Sequence, residues 1–222
     1  MKTKTHPKSG LSLMEVVLVI ATVATLAMVY LPRLARAHAH SCKLGCVNQL
    51  KQIGLADRLW SNDHGDRFPF SASTNAGGTL EFVGSPQVFR HFQVMSNELN
   101  TPKILLCPQD TKRKVASPNL AGEIDFENLS NANISYFVGL DADESKPDCF
   151  LGGDRNLTGG FLSNGIFRIS TSQSAAGWTP QIHNNAGNIL LADGSVQPVT
   201  ASGLTKHLQS ITNLPTIRLA IP

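Results

Sequence analysis

Residues 11–31 read LSLMEVVLVIATVATLAMVYL, an apolar run in which Glu15 is the one acidic or basic side chain. As a helix at ~1.5 Å per residue, a run of this length covers about 31 Å, close to the ~30 Å hydrocarbon core of a bilayer. It predicts one membrane span, and no later stretch supplies a second. On its N-terminal side Lys2, Lys4 and Lys8 stand without an acidic neighbour, and the positive-inside bias holds them in the cytoplasm. Arg33 and Arg36 work against that bias, but the balance favours residues 33–222 outside the cytoplasm.

Three readings compete for this run. A secretory signal peptide would use the small-residue sites Ala35-Arg36-Ala37 or Ala37-His38-Ala39, although the uncharged stretch from Val16 to Leu31 is long for one. A plain signal anchor explains the length. Neither explains Glu15, because a carboxylate in an apolar helix costs up to ~3 kcal/mol at mid-span and less near the interface. The macrodipole favours an acid in the first turn, which is the simplest account. A cut after Gly10 offers another: it creates an α-amino group that can pair with Glu15 of a neighbouring subunit, neutralising both.

Lys8-Ser9-Gly10 followed by Leu11-Ser12-Leu13-Met14-Glu15-Val16-Val17-Leu18-Val19-Ile20 resembles the class III leader and N-terminal helix of type IV pilins and type II secretion pseudopilins. The resemblance implies that prepilin peptidase cuts after Gly10 and N-methylates Leu11, which stands where Phe is commoner. It implies that Glu15 guides assembly and that Pro32 falls where the family often kinks its helix. The fold it implies is α+β and pilin-like: a long N-terminal α-helix, half of it transmembrane, packed on a small antiparallel β-sheet domain with loop insertions.

Charge and composition agree with a structural role. The 222 residues carry 19 basic and 16 acidic side chains, and the excess of +3 equals the three leader lysines. The remaining chain is formally neutral, so no nucleic-acid partner is expected; Lys112-Arg113-Lys114 has no interleaved aromatics. With 41% hydrophobic residues and a mean hydropathy of −0.05, neither a polytopic membrane protein nor a disordered chain fits.

Beyond Pro32, Cys46, Leu50, Ile53, Ala56 and Trp60 recur at helical spacing and mark one apolar face, which Asn62 to Asp66 end with turn residues. The expected organisation is a leader at 1–10, a membrane and assembly segment at 11–31, the periplasmic half of the helix at 32–62, and a globular α+β domain at 63–222. Within that domain Val88 to Leu99 predicts a second helix, Ser135 to Leu140 and Gly165 to Ser170 predict strands, and Gly152 to Asn156 predicts a turn. The clearest signal is Asp193-Gly194 between the apolar runs 188–192 and 195–199, a hairpin whose Pro198 belongs on an edge strand or near a strand end.

His183, nine intervening residues and Asp193-Gly194 also resemble the H-X9-DG signature of pilin-like proteins found in planctomycetes and verrucomicrobia. Cys46 to Gly54, Leu106 to Asp110 and Ser135 to Val138 are similar to segments of the same group. This resemblance implies no catalytic chemistry. His183 and Asp193 are candidates for a ligand or acid–base pair; the alternative gives Asp193 to the turn and His183 to nearby backbone. No HExxH, Walker A, GxSxG or GxGxxG pattern is present, and no enzyme is expected.

Four cysteines outside the cytoplasm allow three complete pairings. Cys46 with Cys107 is favoured, because it ties the helix to the domain and closes a long loop worth ~4 kcal/mol in the chain-entropy model. A zinc site using His38 or His40 matches no ligand spacing. Asp141, Asp143, Glu144, Asp148 and Asp154 crowd one region, and major pseudopilins often bind calcium in a C-terminal loop. Asp141, Asp143 and Asp148 are the calcium candidates, but without Asp-x-Asp-x-Asp-Gly spacing a solvated loop is expected, and so is no cofactor.

The expected function is a structural pseudopilin-like subunit of a type II secretion or type IV pilus-like filament. Its partners would be prepilin peptidase/methyltransferase, other pseudopilins, the inner-membrane assembly platform, and lipid through residues 11–31. It would be single-pass in the inner membrane with its domain in the periplasm. The rival reading is a membrane-anchored or secreted binding or hydrolytic protein.

Overall fold

The computed structural model describes residues 12–118, 125–172, 175–211 and 214–222, and of 35–40 the backbone alone. Helix α1 runs Leu13–Asp63. Ser12 starts it with a reciprocal capping box: its Oγ accepts the Glu15 N–H at 3.3 Å, and Glu15 Oε2 accepts the Ser12 N–H at 2.8 Å. The helix continues through Pro32, which has no N–H to offer the Met28 carbonyl. The apolar stretch Leu13–Leu34, 22 residues with mean hydropathy 2.2, is long and apolar enough to cross a membrane. At the other end Asp66 donates its N–H to the Ser61 carbonyl, and Gly65 and Asp66 turn the chain at φ 71° and 56°.

Two compact units divide the chain, Met1–Ser41 and Cys42–Pro222. The second begins inside α1 because the later half of that helix supplies core: Cys46, Leu50, Ile53, Ala56 and Trp60 are all buried.

This unit is α+β, built on a seven-stranded antiparallel sheet ordered β4-β5-β9-β1-β2-β7-β8. The strands are β1 Tyr136–Gly139, β2 Phe150–Asp154, β3 Leu157–Thr158, β4 Phe161–Ser163, β5 Ile166–Ser170, β6 Gly177–Trp178, β7 Ala186–Leu191, β8 Val196–Thr200 and β9 Thr216–Ala220. Strands β3 and β6 form a separate pair. Gln49 and Arg58 tie α1 to the sheet region: Tyr136 OH donates to Gln49 Oε1 at 2.7 Å, and Arg58 Nη2 donates to the Ala192 carbonyl at 3.2 Å.

The hairpin at Asp193-Gly194 joins β7 to β8, and Pro198 stands on β8 at the sheet edge. Gly194 takes φ 82° and donates to the Leu191 carbonyl, which closes the turn. The region 152–156 is not a turn. Gly152, Gly153 and Asp154 lie in β2, buried between β1 and β7, and a Cβ at Gly153 would stand 2.6 Å from the Asn188 carbonyl oxygen. These glycines answer close packing rather than chain reversal.

The expected helix over Val88–Leu99 is two single turns, α2 Arg90–Gln93 and α3 Ser96–Leu99, broken where Met95 leaves helical geometry at ψ 25°. The periodicity still holds, since Val88, Phe92, Met95 and Leu99 are all buried. Helix α4 (Ala201–Ser210) starts at Thr200, whose Oγ1 accepts the Gly203 N–H, and β9 then returns to the middle of the sheet.

Asp57 and His91 line a cavity of about 10 Å³ together with Tyr136, Phe70 and Met95, barely room for one water. Burial pushes the Asp57 carboxyl up to about 8 and the His91 imidazole down to about 4; His91 Nδ1 pairs with Thr79 Oγ1 at 2.7 Å. In the unfolded chain an Asp ionises near pH ~4. Between pH ~4 and the folded value of about 8 the folded state therefore holds one more proton at Asp57, so this group's stabilisation declines as pH rises. Asp57→Asn is expected to remove that slope. Urea midpoints of wild type and variant, compared at about pH 5 and about pH 8, should show the variant gaining on wild type as pH rises. Parallel pH profiles would sink the assignment.

Candidate functional site

The most unusual backbone in the described residues precedes β7. His183, Asn184 and Asn185 take φ 55°, 52° and 63°, three consecutive left-handed residues. Asn and His visit this region more readily than other side chains, but three such residues in succession persist only when their surroundings hold them there. Asn156 provides the hold: its Nδ2 shares its hydrogens among the carbonyls of Thr179, Ile182 and Ala186 at 2.8, 2.9 and 3.2 Å.

The turn places His183 in a buried polar cluster. Its Nε2 lies 3.1 Å from Asn188 Nδ2, 3.3 Å from Asp154 Oδ2 and 3.7 Å from Cys107 Sγ. Asp154, at the end of β2, accepts the Asn188 backbone N–H at 2.7 Å and its side-chain N–H at 2.9 Å, both on Oδ2. Burial pushes Asp154 up to about 7, against those hydrogen bonds, and holds His183 at about 4, with the Lys43 charge adding to the effect. Burial thus favours the neutral form of both groups. Asp154 Oδ1 and His183 Nδ1 are buried without a hydrogen-bond partner among the described residues.

Cys46 of α1 and Cys107 are joined by a disulfide with Cα atoms 5.2 Å apart, and both residues are buried. Cys107 opens a segment whose Asp110 takes a bidentate grip from Arg155: Nε to Oδ2 and Nη2 to Oδ1, each 2.7 Å. Cys46, Cys107 and His183 bring their ligand-capable atoms within 4.8 Å of one another, the one such trio of His, Cys, Asp or Glu among the described residues.

His183 and Asp193 do separate work. They flank the six residues of β7, and a strand of that length spans about 20 Å, too far for a pair. Asp193 Oδ1 accepts the Ser195 N–H at 2.7 Å, so Asp193 serves the turn. His183 meets side chains rather than backbone. The calcium candidates do not converge either. Asp141 spends both oxygens on Arg218, accepting its backbone N–H and its Nε at 2.7 Å each. Asp143 caps the Ser145 N–H at 2.9 Å, and Asp148 lines a separate cavity with Lys146 and Cys149.

Glu15 sits in the capping box of α1 and Pro32 within the same helix. Gly10 and Leu11 lie outside the described residues. Sequence reading missed Asn188, Asn156 and the Asp110–Arg155 pair, and gave Asp154 only to an acidic loop. The available signal was an acid closing an apolar run, Phe150-Leu-Gly-Gly-Asp154. Comparison with family models, curated proteins and solved structures finds no match for this chain.

Proposed function

We propose that this chain is a pilin-like structural subunit, cut after Gly10, methylated at Leu11 and assembled through its N-terminal helix into a type II secretion or type IV pilus-like filament. The observation that carries the reading is the run from Lys8 to Ile20, a basic leader and Gly ahead of a helix apolar enough to cross a membrane over Leu13–Leu34. Lys2, Lys4 and Lys8 keep the leader in the cytoplasm, where prepilin peptidase acts, and the α+β unit stands in the periplasm.

The capping box gives Glu15 its place in this reading. Ser12 occupies Oε2 through both its N–H and its Oγ, at 2.8 and 3.1 Å, and Oε1 has no partner among the described residues. The carboxylate is held at the helix tip with one oxygen turned over to a neighbouring subunit's new α-amine. Pairing neutralises two charges that would otherwise be costly in lipid, so assembly and charge burial go together.

Edman sequencing or intact mass of the membrane-extracted protein tests this. The mature chain is expected to start at N-methyl-Leu11; a start near His38 or Ser41 identifies a cleaved secretory protein instead. Gly10→Leu is expected to leave the leader attached. Glu15→Ala is expected to be cleaved normally yet to lower recovery in the sheared filament fraction by about tenfold or more. Normal incorporation of the Glu15 variant would remove its assembly role.

A further inference from the structure

The cluster under the disulfide has the composition of a metal centre. Two cysteines and a histidine are the ligand types that favour a thiophilic ion such as Zn²⁺. A tetrahedral zinc with Zn–S of about 2.3 Å and Zn–N of about 2.0 Å has an S–N edge of about 3.5 Å. His183 Nε2 already stands 3.7 Å from Cys107 Sγ. The Cys46–Cys107 Cα separation of 5.2 Å lets the two sulfurs part by side-chain rotation without moving α1. Two thiolates cancel the dication, so the complex adds no net charge to a buried site. A cavity of about 110 Å³, lined by Lys43, His183, Asn188 and Val199, reaches the histidine side of the cluster.

We propose that Cys46, Cys107 and His183 form a redox-gated site for one Zn²⁺, closed by the disulfide and opened when a dithiol reduces it. In the opening step the Cys46–Cys107 bond takes two electrons and two protons from the dithiol, which becomes a disulfide. Zn²⁺ then forms two sulfur–zinc bonds as both thiol protons leave to solvent, and accepts the lone pair of the neutral His183 nitrogen. That nitrogen is Nε2, so the ion takes the place of its contacts with Asn188 Nδ2 at 3.1 Å and Asp154 Oδ2 at 3.3 Å.

The test uses the full chain in detergent, reduced with a dithiol, desalted without oxygen and titrated with Co²⁺, then with Zn²⁺. One Co²⁺ per chain is expected, with thiolate-to-metal charge-transfer absorption that Zn²⁺ abolishes. The oxidised chain should bind at least about 100-fold more weakly. His183→Gln should lower Zn²⁺ affinity by about tenfold or more, and its ability to form the disulfide in the oxidised state shows that it folds. Cys42→Ser and Cys149→Ala should leave binding unchanged. No binding by the reduced chain, equal binding by the oxidised chain, an undiminished His183→Gln variant, or dependence on Cys42 or Cys149 would each overturn the proposal.

Discussion

Replacing Cys46 and Cys107 together by alanine is expected to lower the free energy of unfolding by about 4 kcal/mol. The bond joins residues separated by 61 positions, and closing a loop of that length removes much of the freedom of the unfolded chain while costing the folded one nothing new. Alanine at both positions avoids leaving a buried hydroxyl, so the measured loss reports the cross-link and a small packing term. Domains of ordinary size keep only ~5–15 kcal/mol in hand, so this single bond decides whether the unit survives mild denaturant. Urea titration of wild type and the double variant, without reductant and with a chelator present, gives the difference directly. A midpoint shift equivalent to less than about 1 kcal/mol would mean that the unfolded chain is already compact around this loop.

What the sequence disclosed follows from where the causes lie. The α1 face at Cys46, Leu50, Ile53, Ala56 and Trp60 was legible because burial of a helix repeats locally, and the Asp193-Gly194 hairpin because a turn states its conformational demand within two residues. Strand β2 was misread since glycine carries two meanings: conformational freedom, which is local, and lack of a side chain, which matters only against Phe137 and Asn188 once the sheet is assembled. The helix over Val88–Leu99 had the right periodicity, but periodicity records which side chains are buried, not whether the backbone between them stays helical at Met95. His183 stood out as half of a spaced motif, yet its carboxylate partner is Asp154, brought by the β2–β7 pairing rather than by spacing along the chain. No window on the sequence contains both.

Asp154→Ala is expected to cost about 3–5 kcal/mol, because it strands a set of buried donors rather than one contact. Asp154 Oδ2 accepts both the backbone and side-chain N–H groups of Asn188, and His183 lies beside it. With the carboxyl gone, those groups keep their desolvation penalty and lose their acceptor, while water has little room to replace it at a position that is 0% exposed. Asp154→Asn separates this effect from charge. The folded Asp154 is pushed up to about 7, so near pH 6 the native carboxyl is mostly neutral and an amide oxygen can take over the Oδ2 role. The Asn variant should therefore lie close to wild type at about pH 4, where folded and unfolded wild type both hold the proton, and far above the Ala variant. The pH dependence has a definite sign. The folded state holds the Asp154 proton between pH ~4 and about 7 while the unfolded state releases it, so wild type loses stability as pH rises through that window and Asp154→Asn does not. Urea midpoints for the three proteins at about pH 4, 6 and 8 should thus show the Asn variant gaining on wild type with rising pH and the Ala variant low throughout. An Ala variant within about 1 kcal/mol of wild type would show that the His183 turn is held by Asn156 alone, and that the Asp154 carboxyl is dispensable to it.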